Sequence, residues 1–176
     1  GGVGLRGGRT WAGTGAAGAA AGEGGFEGCI FVDTCYGELG GTREPTEVGA
    51  DLIVGSLIKN PGGGLAPTGG YIAGGAKYVE MCENRLTAPS VGGEVGSYAY
   101  GYQLYFQGFF LAPHVVAQAV KGALLIGKCM AQLGYENYPS VDRLPPDITR
   151  AVRVETERQL TDFCPSVQCV LPVDSL

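Results

Sequence analysis

Two short apolar runs, each closed by a charged residue, are the sharpest feature of the chain's hydrophobic pattern. C-I-F-V-D ends at Asp33, and D-L-I-V-G-S-L-I-K ends at Lys59 and passes directly into N-P-G-G-G. Both runs are continuous in apolar character rather than alternating. They predict strands over 29–34 and 51–58 in a sheet covered on both faces, the habit of α/β proteins. Between them, Glu44-Pro45-Thr46-Glu47 places proline and acids where a short helix begins, which suits a crossover between parallel neighbours. The Y-I-A segment between Gly70 and Gly74 predicts a third short strand. Over 77–85, Tyr78, Val79, Met81 and Cys82 supply the apolar face of a helix. A longer helix is expected over 102–133, with Pro113 as its breaking point and Gly134 as its C-cap. From Tyr135 the chain becomes more polar and proline-rich, and D-R-L-P-P-D-I-T-R-A-V-R-V reads as turns leading into a helix or strand.

Composition changes this picture at the N-terminal end. The chain has 176 residues and 32 glycines, and residues 1–28 are mainly glycine and alanine. With so few large apolar side chains to offset ordering entropy, that stretch is expected to be a disordered leader. Three regions follow: the leader at 1–28, a domain at 29–134 and the start of a second, smaller module at 135–176. A Gly13-x-Gly15-x-x-Gly18 pattern matches a dinucleotide fingerprint, but no apolar strand precedes it and the local composition produces it by itself.

The net charge of −5 argues against nucleic acid or an anionic membrane as partner. No uninterrupted apolar run approaches the roughly 20 residues that span a bilayer, and no secretory signal is expected. The expected location is the cytoplasm, with plastid or mitochondrion as the alternative. Cys29, Cys35, Cys82, Cys129, Cys164 and Cys169 lack the spacing of a disulfide framework and are expected to be reduced and mostly buried. With no Cys-x-x-Cys pair and His114 as the only histidine, no metal site is expected.

A lysine ending a buried strand is costly unless its ammonium finds a partner. A covalently attached aldehyde cofactor removes that cost. Pyridoxal phosphate requires a lysine for its Schiff base and an acid against its ring nitrogen, and Lys59 and Asp33 offer both. The bland alternative is an exposed loop lysine beside a turn aspartate.

The motifs F-V-D-T-C-Y-G-E, E-P-T-E-V-G-A-D-L-I-V-G-S-L-I-K-N-P-G-G-G-L-A-P-T-G-G-Y-I-A-G, R-L-T-A-P and F-L-A-P-H-V-V-A-Q-A-V-K-G-A carry a resemblance over about residues 29–176. They resemble the methionine gamma-lyase-like or aluminium-resistance family of pyridoxal-phosphate enzymes, cousins of the cystathionine beta- and gamma-lyases in the fold type I group. The resemblance implies an α/β architecture: part of the fold type I large domain, a mostly parallel sheet with flanking helices, truncated at both ends. Residues 29–134 would be the C-terminal part of that domain and 135–176 the start of the small domain. It implies that Lys59 forms the Schiff base and acts as general base, that Asp33 keeps the ring nitrogen protonated, and that Ser56, in S-x-x-K, binds the cofactor phosphate. Thr34 and Cys35 would lie near the ring, although the family more usually has asparagine at the position of Thr34.

Plainer roles stand beside these. Ser56 can be a strand-terminal serine satisfied locally, and Cys35 a buried small apolar residue. The glycines of 60–64 and 68–70 can leave space for the ring and a neighbouring subunit, Arg85 reads as a surface or interface residue, and His114 as structural. The implied activity belongs to the full-length protein, a homo-oligomer of two or four copies. It would be a carbon-sulfur lyase acting on methionine, cystathionine or cysteine by β- or γ-elimination, giving a keto acid, ammonia and a thiol. The ring-stacking aromatic and phosphate-binding turn that such enzymes carry upstream of the aspartate have no counterpart before Cys29. The alternative is therefore a catalytically inactive fragment that only associates with a full-length homologue.

Overall fold

The computed structural model describes residues 28–96 and 98–172. The expected leader, Gly28 apart, and the glycine pattern at 13–18 lie outside the described residues. The chain divides into two units, one of residues 28–121 with 146–149 and the other of 122–145 with 150–172.

In the first unit, β1 (Phe31–Asp33) and β2 (Leu52–Ser56) run parallel, with Phe31 opposite Leu52 and Asp33 opposite Val54. The crossover contains a 3-10 turn at Pro45–Val48. Pro45 opens it where a missing N–H costs nothing, and the Glu44 N–H donates to Glu47 Oε2 at 2.7 Å. Gly49 ends it at φ 103°, a backbone conformation that glycine adopts without steric cost. β3 (Gly70–Gly74) then pairs antiparallel with β2, giving the order β1-β2-β3. Helix α1 (Ala76–Leu86) follows β3, and α2 runs from Gln103 to Gln132.

The sheet's core is Val32, Ala50 and Ile53, with Ile30 and Tyr71 packed against it. Burying Val32 and Ile53 contributes about 1.5–3 kcal/mol each. Along β1 only the middle residue is buried, while Phe31 and Asp33 are exposed. The strand is therefore one-sided in this structure, not covered on both faces as its continuous apolar run suggested.

Helix α2 does not break at Pro113. A proline inside a helix removes one hydrogen bond and crowds the preceding turn, but Gly108, Ala112 and Val116, spaced four apart, form a buried stripe on either side of it. The stripe seats the helix on the turn that follows β2: a Cβ at Gly108 would strike the Gly62 carbonyl oxygen, and one at Gly63 the Gly108 oxygen. Elsewhere α2 presents large apolar side chains outward, with Phe106 74% and Phe110 83% exposed. By length and composition alone it is apolar enough to cross a membrane. Counting uninterrupted runs did not reveal this, because Gln107, His114 and Gln118 interrupt the apolar sequence.

In the second unit, β4 (Asn137–Tyr138) and β5 (Ala151–Val152) form a two-stranded antiparallel ladder. Helix α3 (Glu157–Gln168) starts at a reciprocal cap in which the Gln159 N–H donates to Thr156 Oγ1 and Gln159 Oε1 accepts from the Thr156 N–H, both at 3.2 Å. Gly134, at φ 89°, closes α2, and the Tyr135 N–H donates to the Met130 oxygen at 3.0 Å.

The expectation of an α/β architecture, part of a fold type I large domain with a mostly parallel sheet, is overturned. Among the described residues, helices make up most of the regular structure; the strands are short, and parallel pairing is confined to β1 with β2. A parallel neighbour needs a crossover of a dozen or more residues, usually helical. After β2 the chain instead makes a 3-10 turn at Asn60–Gly62, with left-handed Gly63, Gly64 and Gly69, and returns antiparallel. The cysteines also depart from expectation. All six are free thiols, but Cys29, Cys129, Cys164 and Cys169 are exposed, and Cys35 and Cys82 only half-buried. The buried positions lie mainly in the sheet, its adjoining turns and one stripe of α2; of the six cysteines only Cys35 lies in such a turn, and none in the stripe.

The contact between α2 and the turn reverses the usual sign of a helical glycine substitution. Gly122→Ala, with open space around the new methyl, should stabilise by about 0.5–1 kcal/mol. Gly108→Ala should cost about 1–3 kcal/mol by forcing the turn off the helix. Urea midpoints of the two variants against the parent check both signs.

Candidate active site

The parallel pairing of β1 and β2 brings the carboxyl ends of both strands to the same edge, so the segments leaving them are neighbours. Asp33 ends β1. Its Oδ1 accepts from the Cys35 N–H at 3.0 Å, and this bond, with one from the Cys35 side chain, holds the carboxyl below the ordinary carboxylate range; the Lys59 charge adds to the effect. Asp33 is exposed and stays ionised.

Lys59 lies three residues beyond the end of β2, in the turn and not in the strand, with its N–H donating to the Ser56 oxygen at 3.3 Å. Its side chain is partly exposed, and Nζ stands 4.4 Å from the centroid of the Tyr36 ring. Hydrogen bonding with Cys35 is the main influence pushing the ammonium above its ordinary value, opposed by burial and reinforced by Tyr36. Asp33 and Lys59 thus lie near each other at the Cys35 segment, whose backbone N–H is bonded to the Asp33 carboxylate.

Ser56 lies on the same strand end. Its Oγ accepts from the Ile58 N–H at 3.3 Å, the local satisfaction that the plainer reading of this serine anticipates. Thr34 turns away from the cluster. It is 1% exposed, and its hydroxyl donates to the Val54 oxygen at 2.8 Å beneath the sheet edge. The glycines after Lys59 have a packing role: Gly62 and Gly63 are buried against α2, and Gly64 faces open space. Arg85 and His114 are exposed on α1 and α2.

Four residues to which the sequence reading gave no role build the floor of this site. The Asn60 side-chain amide donates to the Tyr36 oxygen at 3.1 Å and the Glu38 oxygen at 3.0 Å, stapling the loop after β1 to the turn after β2. Tyr36 at φ 75° and Leu39 at φ 60° are left-handed without being glycine, a cost of about 1–3 kcal/mol each that the surroundings must offset. Glu38 is 4% exposed. Its Oε1 accepts from the Tyr71 hydroxyl at 3.1 Å and lies 3.2 Å from Thr34 Oγ1, while the two hydroxyls are 2.6 Å apart. Oε2 has no hydrogen-bond partner among the described residues.

The Thr34 hydroxyl, the Tyr71 hydroxyl and Glu38 Oε1 thus lie within hydrogen-bonding distance of one another, and Thr34 also reaches the Val54 oxygen. Burial pushes the Glu38 carboxyl upward, against the bonds that it accepts, and pushes the Tyr71 phenol upward as well. The available sequence signals were C-Y-G-E, which brings an acid close behind an apolar strand, and the asparagine that follows Lys59.

Among the described residues, no group of three or more His, Cys, Asp or Glu side chains is arranged to hold a metal ion. The cluster offers an ionised carboxylate, a thiol and an amine on one edge: an acid that can hold a cationic ring nitrogen, and a nucleophile that can capture an aldehyde.

Comparison with known proteins places these residues in a wider set. Residues 26–176 match the sequence model of the methionine gamma-lyase family. The uncharacterized protein YnbB of Bacillus subtilis is 46% identical over 146 residues, covering 83% of this chain and 35% of that protein. An uncharacterized 33.9 kDa protein of Lactobacillus delbrueckii subsp. bulgaricus is 40% identical over 149 residues, covering 85% and 49%. Among solved structures, a carbon-sulfur lyase involved in aluminum resistance from Clostridium novyi NT is 42% identical with a TM-score of 0.86, covering 96% of this chain and 42% of that one. A protein of Clostridium acetobutylicum, provisionally assigned as a cystathionine beta-lyase involved in aluminum resistance, is 41% identical with a TM-score of 0.88, covering 96% and 41%. The matching parts of these structures share the backbone fold of this chain. The chain spans about a third to a half of the length of the curated relatives it matches.

The buried acid makes stability depend on pH with a definite sign. Because the folded value of Glu38 lies above its ordinary 4.5, its contribution is fully present below that pH and is lost as pH rises through the folded value. Glu38→Gln removes the titration. Urea midpoints from about pH 4 to about pH 8 should therefore move in favour of the variant as pH rises; parallel profiles would show that Glu38 is not buried as an acid.

Proposed function

The chain belongs to the methionine gamma-lyase family, and from that premise we propose that it carries the cofactor-anchoring part of a pyridoxal-phosphate-dependent carbon-sulfur lyase. The observation that supports this reading is the placement of Asp33 and Lys59 at neighbouring ends of two parallel strands, on segments that the Asn60 side chain staples together. The substrate class is a sulfur amino acid such as methionine, cystathionine or cysteine. Elimination breaks its carbon–sulfur bond, releases the thiol, and with water gives a keto acid and ammonia.

The residues present fit the cofactor. Asp33, held ionised by the Cys35 hydrogen bonds, can retain a proton on a ring nitrogen facing it, and Lys59 carries the amine for covalent attachment. Bound there, pyridoxal phosphate would supply an electron sink for the charge that develops at the substrate α-carbon. Lys59 has two tasks. Its amine would hold the aldehyde, and as a free amine it would accept the substrate α-proton. Both tasks require it to lose the proton that Cys35 and Tyr36 help it keep, so attachment should accelerate as pH rises. Ser56, with its Oγ already accepting a backbone N–H, keeps its hydroxyl proton available to donate to a phosphate oxygen.

Incubation of the chain with pyridoxal phosphate, borohydride reduction and peptide mapping tests the assignment. A single reduced adduct at Lys59, absent from Lys59→Ala, is the expected result. Labelling spread over the exposed lysines, unchanged by that substitution, would remove the basis for the proposal.

A further inference from the structure

Tyr36 is an odd residue to find at its position. A left-handed backbone at φ 75° is disfavoured for a bulky side chain, and glycine, the residue that adopts it freely, stands next in the sequence at Gly37. The conformation is held from two sides. The Tyr36 carbonyl accepts from Asn60 Nδ2 at 3.1 Å and from the Ile148 N–H at 3.2 Å, and the Gly37 N–H donates to the Thr34 oxygen at 2.8 Å. The geometry so enforced presents the face of the ring to Lys59, with Nζ 4.4 Å from its centroid. Asn60, which secures the loop, is also the residue adjoining Lys59, so the loop and the lysine are placed by one side chain.

We propose that Tyr36 is a positioning residue for Lys59: its ring face holds the lysine ammonium at the loop after β1, and Asn60 sets the loop conformation that aims the ring. The inference rests on the reading of Lys59 as the reactive amine. It gives the resting lysine a defined place in which the proton is retained, and it makes departure from the ring part of bringing the amine into use. The charged and titratable groups around Nζ are Asp33, Cys35 and Tyr36, and the position of Nζ 4.4 Å from the Tyr36 ring centroid sets the ammonium against a π face, which attracts a cation with or without the hydroxyl.

The test uses the chain without cofactor, so that it stays separate from the question of pyridoxal phosphate binding. Reductive methylation over a pH series, read at the Lys59 peptide by mass spectrometry with exposed Lys121 as internal reference, reports the protonation of the ε-amine. Tyr36→Phe keeps the ring face and should leave the Lys59 profile unchanged. Tyr36→Leu removes the face and should raise Lys59 methylation below its midpoint about two- to fivefold, with Lys121 unchanged. Tyr36→Gly, which takes the left-handed backbone without strain, should raise methylation equally and keeps the test available if the leucine variant does not fold. Leucine or glycine variants that titrate with the parent would overturn the proposal. So would a phenylalanine variant shifted as far as leucine, since the hold would then belong to the hydroxyl.

Discussion

A single side-chain amide, that of Asn60, joins the two segments on which the rest of the site depends. By donating to the carbonyls of Tyr36 and Glu38 it fixes the loop leaving β1 relative to the turn leaving β2, and it does so while buried. Buried hydrogen bonds of this kind add only about 0.5–1.5 kcal/mol each to stability, but leaving their partners unsatisfied costs more. Their leverage here is geometric. Without them the left-handed residues of the loop lose an important restraint, and Tyr36, Cys35 and Lys59 lose their common frame.

The turn behind Lys59 is constrained with equal strictness from its other side. Gly62 and Gly63 accept α2 so closely that neither Gly63 nor Gly108 has room for a Cβ, and the buried stripe of Gly108, Ala112 and Val116 carries the helix through Pro113. Lys59 thus sits between a packed turn and a stapled loop, and its side chain, partly exposed, is what remains free to act. Beneath it, a carboxylic acid is buried without a charged partner. Glu38 tolerates this through its contacts with the Thr34 and Tyr71 hydroxyls, and Gly55 makes the arrangement possible, because a Cβ there would enter the space occupied by both Glu38 and Tyr71.

Much of the local structure was legible in the residues. The two apolar runs became β1 and β2, the Glu-Pro-Thr-Glu segment became the turn of a parallel crossover, and helical periodicity located α1 and α2 to within a residue or two. Each of these follows from interactions among near neighbours: β-branched side chains in the runs, proline at a first turn, apolar spacing near 3.6. Asp33 and Lys59 were visible as charged residues closing those runs. Tyr36, Glu38, Asn60 and Tyr71 were not assigned roles, since nothing in a tyrosine or an asparagine announces that its partner will be a backbone carbonyl on another loop.

The sequence by itself determined where strands, turns and helices would begin and which ionisable residues would stand at their ends, because those outcomes depend on short-range sterics and spacing. Only the tertiary structure decided that β3 returns antiparallel, that α2 continues through a proline, that Thr34 faces inward, and that Asn60 staples the loop after β1 to the turn after β2. These depend on which distant segments come within hydrogen-bonding or van der Waals reach. That proximity is fixed by packing across the fold, where the energy of a contact does not depend on how far apart its residues lie along the chain.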